Sequence, residues 1–381
     1  MMFDILLPTR VLFGPGSTYR LGEEISRIGK RALVITGRRS LAESGQVERI
    51  TNPLQIAKVE TVWFRVDPEP TVDTVDEARR LIHEEKVDLV VGVGGGSALD
   101  VAKAAAGLAK VDTPAGTFFG AVPLNAPGLP WVAVPTTAGS GSEATKNAVL
   151  IDPERKRKAS LRNEWWLPVV AVVDPILTMS QPPEVTAGTG FDALTHAVES
   201  FTSRWATPFT TALSREAVRL ITQNIYTAYD TGRVRASREY MMLASLMAGI
   251  ALANAGAGAV HALAHPVGVR YGIPHGVACG ILLPYIVRFN LAVAHDAYAD
   301  LAAASAMVPL TADKDEAARK FVVYLEKLRD KLGLPAKLSE AGLKEADITE
   351  IADEALLSRS LSANPRRVTR VDLLTILQEN L

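Results

Sequence analysis

The first half of the chain alternates two patterns. Short runs rich in β-branched residues, at positions 31–36, 61–66, 87–93 and 131–134, read as strands. Between them, residues 72–85 and 98–109 carry apolar side chains at helical spacing. Strands and helices alternating through short connections predict βαβ units, and hence an α/β domain with a doubly wound, mostly parallel sheet. Ligands of such sheets sit beyond the carboxyl ends of the strands.

From about Thr178 onward the strand pattern gives way to helical runs at 190–204, 207–229, 237–253, 258–269 and 277–292, with an amphipathic series after Asp313. This predicts an all-α C-terminal domain. Paired prolines, Pro182 and Pro183, end an element and favour an extended connector, so the expected division is 1–181 and 182–381. The longest apolar stretch, around 244–264, is interrupted by Gly249, Asn254, Gly256, Gly258 and His261, which suits close helix packing in a protein interior rather than a membrane span.

Composition narrows the function classes. A chain of 381 residues has room for two cores. Lysines and arginines number 41 against 42 acids, so no strong field draws nucleic acid or anionic lipid. Cys279 is the only cysteine, which excludes internal disulfides and fits a reducing compartment; metal ligands are then expected to be nitrogen and oxygen. The N-terminal residues lack the pattern of a secretory signal, and the cytoplasm is the expected location.

Three segments carry candidate chemistry. Gly92-Val93-Gly94-Gly95-Gly96-Ser97-Ala98-Leu99-Asp100 follows a strand and opens a helix. Glycines there let a ligand approach, and free amides at a helix N-terminus attract phosphate. The spacing is not G-x-G-x-x-G, and Ser97 and Asp100 also suit helix capping. Pro135-Thr136-Thr137-Ala138-Gly139-Ser140-Gly141-Ser142-Glu143 again follows a strand and gathers hydroxyl and amide donors. Two such loops at the carboxyl edge of one sheet point to a dinucleotide. In the helical half, Asp192 and His196 stand four apart, as do His261 and His265, and His275 follows in a Gly-Ile-Pro-His-Gly turn. Each histidine alone reads as a satisfied core residue. Together with one carboxylate they form a donor set suited to Fe(II) or Zn(II) rather than calcium or magnesium.

The run from Gly258 to Gly268, continued by Tyr271-Gly272-Ile273-Pro274-His275-Gly276, resembles the signature of the iron-containing, group III alcohol dehydrogenases. So do Asp174-Pro175, the block from Gly188 to Glu199, the Gly94–Ser97 turn, the Thr136-Thr137 loop and the tail Asn364-Pro365-Arg366. The resemblance implies an N-terminal dinucleotide-binding domain, a helical metal and substrate domain, and hydride transfer between NAD(P)(H) and a small primary alcohol or aldehyde. It implies metal ligation by Asp192, His196, His261 and His275, and a proton relay at His265. It brings Gly94, Gly95, Gly96, Ser97, Asp100, Thr136, Thr137, Ser140 and Lys158 to the cofactor, and suggests a homodimer or larger homo-oligomer.

One departure bears on cofactor choice. Where NAD-preferring members often carry an aspartate for the adenosine ribose, this chain reads Thr36-Gly37-Arg38-Arg39-Ser40. Arginines there accept a 2′-phosphate that a carboxylate would repel, so Gly37, Arg38 and Arg39 predict NADP over NAD. Competing readings are a hydroxyacid-oxoacid transhydrogenase, a lyase-like relative such as the dehydroquinate synthases, and a non-catalytic dinucleotide or metal sensor.

Overall fold

The computed structural model describes residues 2–118, 120–155 and 157–381; Lys156, in the charged run 155–158, lies outside them. Contacts divide the chain into two compact units. One is Leu7–Gln181; the other is Pro182–Leu381 together with the N-terminal segment ending at Leu6. That segment groups with the helices because the Leu6 amide donates to Asn254 Oδ1 at 2.8 Å.

Among the described residues of the first unit, nine strands form two sheets: β1 (Arg10–Phe13), β2 (Arg31–Gly37), β3 (Glu60–Val66), β4 (Leu89–Gly94), β5 (Gly120–Ala121), β6 (Trp131–Pro135), β7 (Asn147–Asp152), β8 (Arg157–Arg162) and β9 (Val170–Val173). The main sheet has the order β1-β9-β6-β4-β2-β3, and every pairing in it is parallel. Strands β4, β6 and β9 are buried along their whole length and β2 in its centre. Burial on both faces is why they read as continuous apolar runs rather than alternating ones. The four strands expected from sequence all form, within a residue or two of their predicted ends. β1, β5, β7, β8 and β9 were not expected from the sequence. β7 and β8 pair antiparallel in a second, three-stranded sheet.

The chain winds from β2 outward to β3, then crosses back past β2 to β4. The winding therefore reverses between β2 and β4, the place where open α/β sheets leave a crevice for ligands.

The helical unit contains Pro183–Thr202, Pro208–Asp230, Arg235–Ala255, Ala259–Tyr271, His275–Ala304, Lys314–Lys331 and shorter C-terminal helices. One sequence expectation is corrected here. The first helix begins at Pro183, seven positions before the expected Gly190, because proline suits the first helical turn, where its missing N–H is no loss; only Pro182 remains extended. As the runs at 237–253 and 258–269 predict, the apolar stretch 244–264 spans two helices; they are bent by 104° around Gly256, whose φ of 78° few other residues accept. His275–Ala304 is long and apolar enough to cross a membrane, yet 61% of its most apolar window is buried within the protein.

Candidate active site

Three helices of the second unit bring the metal candidates together. Asp192, His196 and Glu199 lie at positions i, i+4 and i+7 of Pro183–Thr202, so they share one face. His261 and His265 sit one turn apart on Ala259–Tyr271. Gly272 ends that helix in the left-handed region at φ 65°, and Pro274 opens the next, which places His275 in its first turn. The His275 and Asp192 helices touch backbone to backbone: a Cβ added to Gly276 would fall 2.1 Å from the Gly188 carbonyl oxygen.

The result is convergence on one oxygen. Asp192 Oδ1 lies 3.4 Å from His196 Nε2, 3.6 Å from His275 Nε2 and 3.7 Å from His261 Nε2. Donors about 2.1 Å from a single tetrahedral ion stand about 3.4 Å apart, so these separations suit a shared cation. The His196 and His261 rings stack at 4.8 Å. Donor atoms of Asp192, His261, His275 and Cys279 lie within 4.8 Å of one another. Cys279 is thus a donor that sequence reasoning set aside; it stands one turn after His275, with Sγ 3.7 Å from His275 Nε2. The sequence expectation is nitrogen and oxygen donors alone; one sulfur also stands within reach. His265 lies beside the cluster, its ring 5.2 Å from that of His275 and 6.3 Å, edge-on, from that of His261.

Burial makes this cluster costly without an ion. Asp192 Oδ1 and His261 Nε2 are both buried and lack hydrogen-bond partners. Burial opposes ionisation of Asp192, but His196, His275 and His261 outweigh it and hold the carboxyl well below its ordinary range. Burial likewise opposes an imidazolium at His261, yet the Glu199 and Asp192 carboxylates push it up to about 10. A buried carboxylate oxygen and an imidazole nitrogen facing the same point are what a divalent cation would satisfy, displacing the imidazolium proton as it binds.

Glu199 is the residue that sequence reasoning passed over. Its Oε2 lies 2.6 Å from His261 Nδ1, on the side of the ring away from Asp192. Its spacing of three from His196 was the available signal; nothing in the sequence showed what it would meet.

In the first unit, three predicted loops meet at the carboxyl edge of the sheet. Gly95 faces Thr137 and Gly96 faces Ser140, so closely that an added Cβ would stand 3.3 Å and 3.0 Å from those side chains. A Cβ on Gly94 would approach Ala98 Cβ at 2.7 Å and the Gly37 amide at 3.7 Å. The Thr136 amide donates to the Gly94 carbonyl at 2.9 Å. The helix Gly96–Gly107, which begins at Gly96 and Ser97, has glycine at its N-cap and no side-chain cap, leaving its first-turn amides for a ligand such as pyrophosphate.

Asp100 has another task. Its Oδ1 accepts from Ser142 Oγ at 2.6 Å and its Oδ2 from the Val149 amide at 2.9 Å. Lys103, fully buried, donates to Ser142 Oγ, Thr145 Oγ1 and the Asn147 carbonyl at 2.7–3.0 Å. Asp100 and Lys103 therefore tie the second loop to the helix that follows the first. Buried Glu143 in that loop is pushed up to about 7 by desolvation, against its own backbone hydrogen bond and the Lys103 charge. Lys158 pairs with Glu69 at 2.6 Å, and Arg38 with Asp67 at 2.6 Å. Among the other positions named from sequence, Arg39 is exposed at the N-cap of the helix Ser40–Glu43, with no side-chain cap bond.

Comparison with known proteins settles what this arrangement belongs to. The family described as iron-containing alcohol dehydrogenase matches residues 8–175, and the Fe-containing alcohol dehydrogenase family, C-terminal, matches 186–381. The chain belongs to the iron-containing alcohol dehydrogenase family. It is 37% identical to a 1,3-propanediol dehydrogenase of Klebsiella pneumoniae over 99% of this chain and 98% of that one. It is 33% identical to an NAD-dependent methanol dehydrogenase of Bacillus methanolicus over the full length of both. A solved alcohol dehydrogenase from Oenococcus oeni superposes with a TM-score of 0.96 at 32% identity, covering 100% of each chain. This iron-containing alcohol dehydrogenase is an oxidoreductase that interconverts alcohols and aldehydes with a nicotinamide dinucleotide, and the expected fold class holds in both halves.

Proposed function

We propose that Asp192, His196, His261 and His275 hold Fe(II), with Zn(II) a competent substitute, in the helical half at 182–381, and that residues 1–181 bind NADP in preference to NAD. The observation that carries the metal reading is the convergence of three imidazole nitrogens, at 3.4–3.7 Å, on one buried carboxylate oxygen. When bound, the ion supplies Lewis acidity to the alcohol or carbonyl oxygen.

The remaining work falls to the chain's own side chains. The glycine turn at Gly94, Gly95, Gly96 and Ser97 receives the pyrophosphate on its free amides, and Thr136, Thr137 and Ser140 donate toward the phosphates and the nicotinamide side. Asp100 supports these loops through Ser142. Lys158, which pairs with Glu69 at 2.6 Å, is a further cofactor contact in this reading. His265, beside His275, takes the hydroxyl proton on an imidazole nitrogen and passes it to solvent, since imidazole accepts and releases protons near neutral pH. Short primary alcohols and diols are the substrate class, as the names of the 1,3-propanediol and methanol dehydrogenase relatives support.

NADP preference rests on Arg38 and Arg39 beside Gly37. The Arg38 pair with Asp67 is about 60% exposed on both sides, and such pairs contribute about 1 kcal/mol or less, so a 2′-phosphate competes well for the guanidinium. A homodimer or larger assembly in the cytoplasm completes the reading; exposed Val11 and Phe13 on the edge strand β1 support association.

The test is a panel of short alcohols and aldehydes with NADP(H) and NAD(H), on protein reconstituted anaerobically with iron and then zinc. Turnover lost in His261→Ala and His275→Ala is expected, as is a higher kcat/KM with NADPH that falls in Arg38→Ala. Turnover intact without those histidines would refute the metal set, and equal use of both cofactors would refute the NADP reading. His265→Ala should retain its metal, lose most turnover and regain part of it with added imidazole.

A further inference from the structure

Glu199 is buried, 5% exposed, and both of its carboxylate oxygens are directed at one helix start. Oε2 accepts from the Gly258 amide at 2.7 Å and faces His261 Nδ1 at 2.6 Å, while Oε1 accepts from the Val260 amide at 2.7 Å. A carboxylate that already receives two amide hydrogens is an acceptor, so it is Nδ1 that carries the hydrogen toward Glu199. Nε2 is then the nitrogen that faces Asp192, and it has no hydrogen-bond partner of its own.

Gly258 makes this approach possible. A Cβ there would stand 2.8 Å from Glu199 Oε1 and 3.1 Å from Asn364 Oδ1. The intervening amide, that of Ala259, donates to Asn364 Oδ1 at 3.3 Å, and Asn364 is braced by reciprocal bonds with Asn290 at 2.9 and 3.2 Å. The helix N-terminus is thus capped from a distance by two side chains. Only Glu199 also reaches the imidazole.

We propose that Glu199 is a positioning residue for the metal centre: it fixes the ring orientation and tautomer of His261 and anchors the start of the helix that carries it. The affinity for the ion thereby depends on a residue that touches neither ion nor substrate. This rests on the assignment of His261 as a ligand. Partners of this kind orient the imidazole and raise its basicity, and their loss typically weakens metal binding by about 10–100-fold.

The experiment compares full-length wild type with Glu199→Gln, Asn364→Ala and His261→Ala, reading zinc affinity by chelator competition and Tm of the metal-free protein. Glu199→Gln should weaken zinc about 10–100-fold. Asn364→Ala removes a cap without touching His261, so it should lower Tm while leaving zinc affinity within about twofold. His261→Ala should abolish tight binding; if it does not, the ligand assignment fails. If His261→Ala loses zinc but Glu199→Gln keeps wild-type affinity, the positioning role is overturned. A third arm needs no variant. In the zinc-loaded wild type, nitrogen-15 NMR should show His261 protonated at Nδ1, and a proton on Nε2 instead would overturn the proposal.

Discussion

Replacing Gly276 with alanine should remove the metal while leaving the fold in place. The new Cβ would lie 2.1 Å from the Gly188 carbonyl oxygen and 2.5 Å from its carbon. Both are backbone atoms, so no side-chain rotation relieves the contact, and the two helices must part by about 1 Å to restore van der Waals distance. His275 is the adjacent residue and moves with its helix, whereas metal–ligand distances tolerate about 0.2 Å. Affinity for zinc or iron should fall by about 100-fold or more, beyond what loss of a supporting residue costs. Stability changes less. Overpacking costs about 1–3 kcal/mol, and removing a glycine from a helix returns about 1 kcal/mol, leaving a net loss near 1 kcal/mol. For a unit of this size that corresponds to about 2–4 °C in Tm. Gly188→Ala is the matched control. Its Cβ would meet Val277 Cγ2 at 3.6 Å, an ordinary contact, so metal affinity should hold. Chelator competition and thermal melts of the metal-free protein read both effects. Gly276→Ala binding zinc within threefold of wild type, or Gly188→Ala losing it equally, would refute the reasoning.

Other outcomes follow from the buried charges of the first unit. Glu143 titrates near pH 7 when folded against 4.5 when unfolded, so the folded state holds an extra proton between those values and stability falls as pH rises through that window, by about 3 kcal/mol at most. Glu143→Gln should flatten this fall in urea unfolding measured from pH 5 to pH 8; an unchanged slope would assign it elsewhere. Lys103→Met removes the donor shared by Ser142, Thr145 and Asn147, leaves Asp100 without its cation, and should destabilise the protein by about 3–5 kcal/mol. It should also raise KM for the dinucleotide without changing metal content, which metal analysis beside steady-state kinetics would check.

Much of the site was readable from residue types and spacing. Asp192 and His196 four apart, and His261 and His265 four apart, could share a helix face in only one way. The glycine and hydroxyl loops had to end strands, because the continuous apolar runs before them had to be buried on both sides. Where the reading fell short, the reason was contact rather than pattern. Asp100 has the position of a cofactor residue or a helix cap, yet its oxygens are taken by Ser142 and Val149, 42 and 49 positions later. Lys158 and Arg38, which the proposed function keeps at the cofactor, also pair with acidic side chains from the segment after β3 that the sequence did not point to. Cys279 was set aside as a lone thiol, and one helical turn brings it to His275.

The sequence by itself determined which side chains share a face and where strands end and loops open, because helical and strand periodicity and local turn chemistry act over a few residues. Only the tertiary structure decided which faces meet. The carbonyl of Gly188 against Gly276, and Glu199 against the amides of Gly258 and Val260, join residues about 60 to 90 positions apart. Periodicity says that a side chain points inward. Packing alone says what it finds there, and at Asp192 that is three imidazoles around one oxygen.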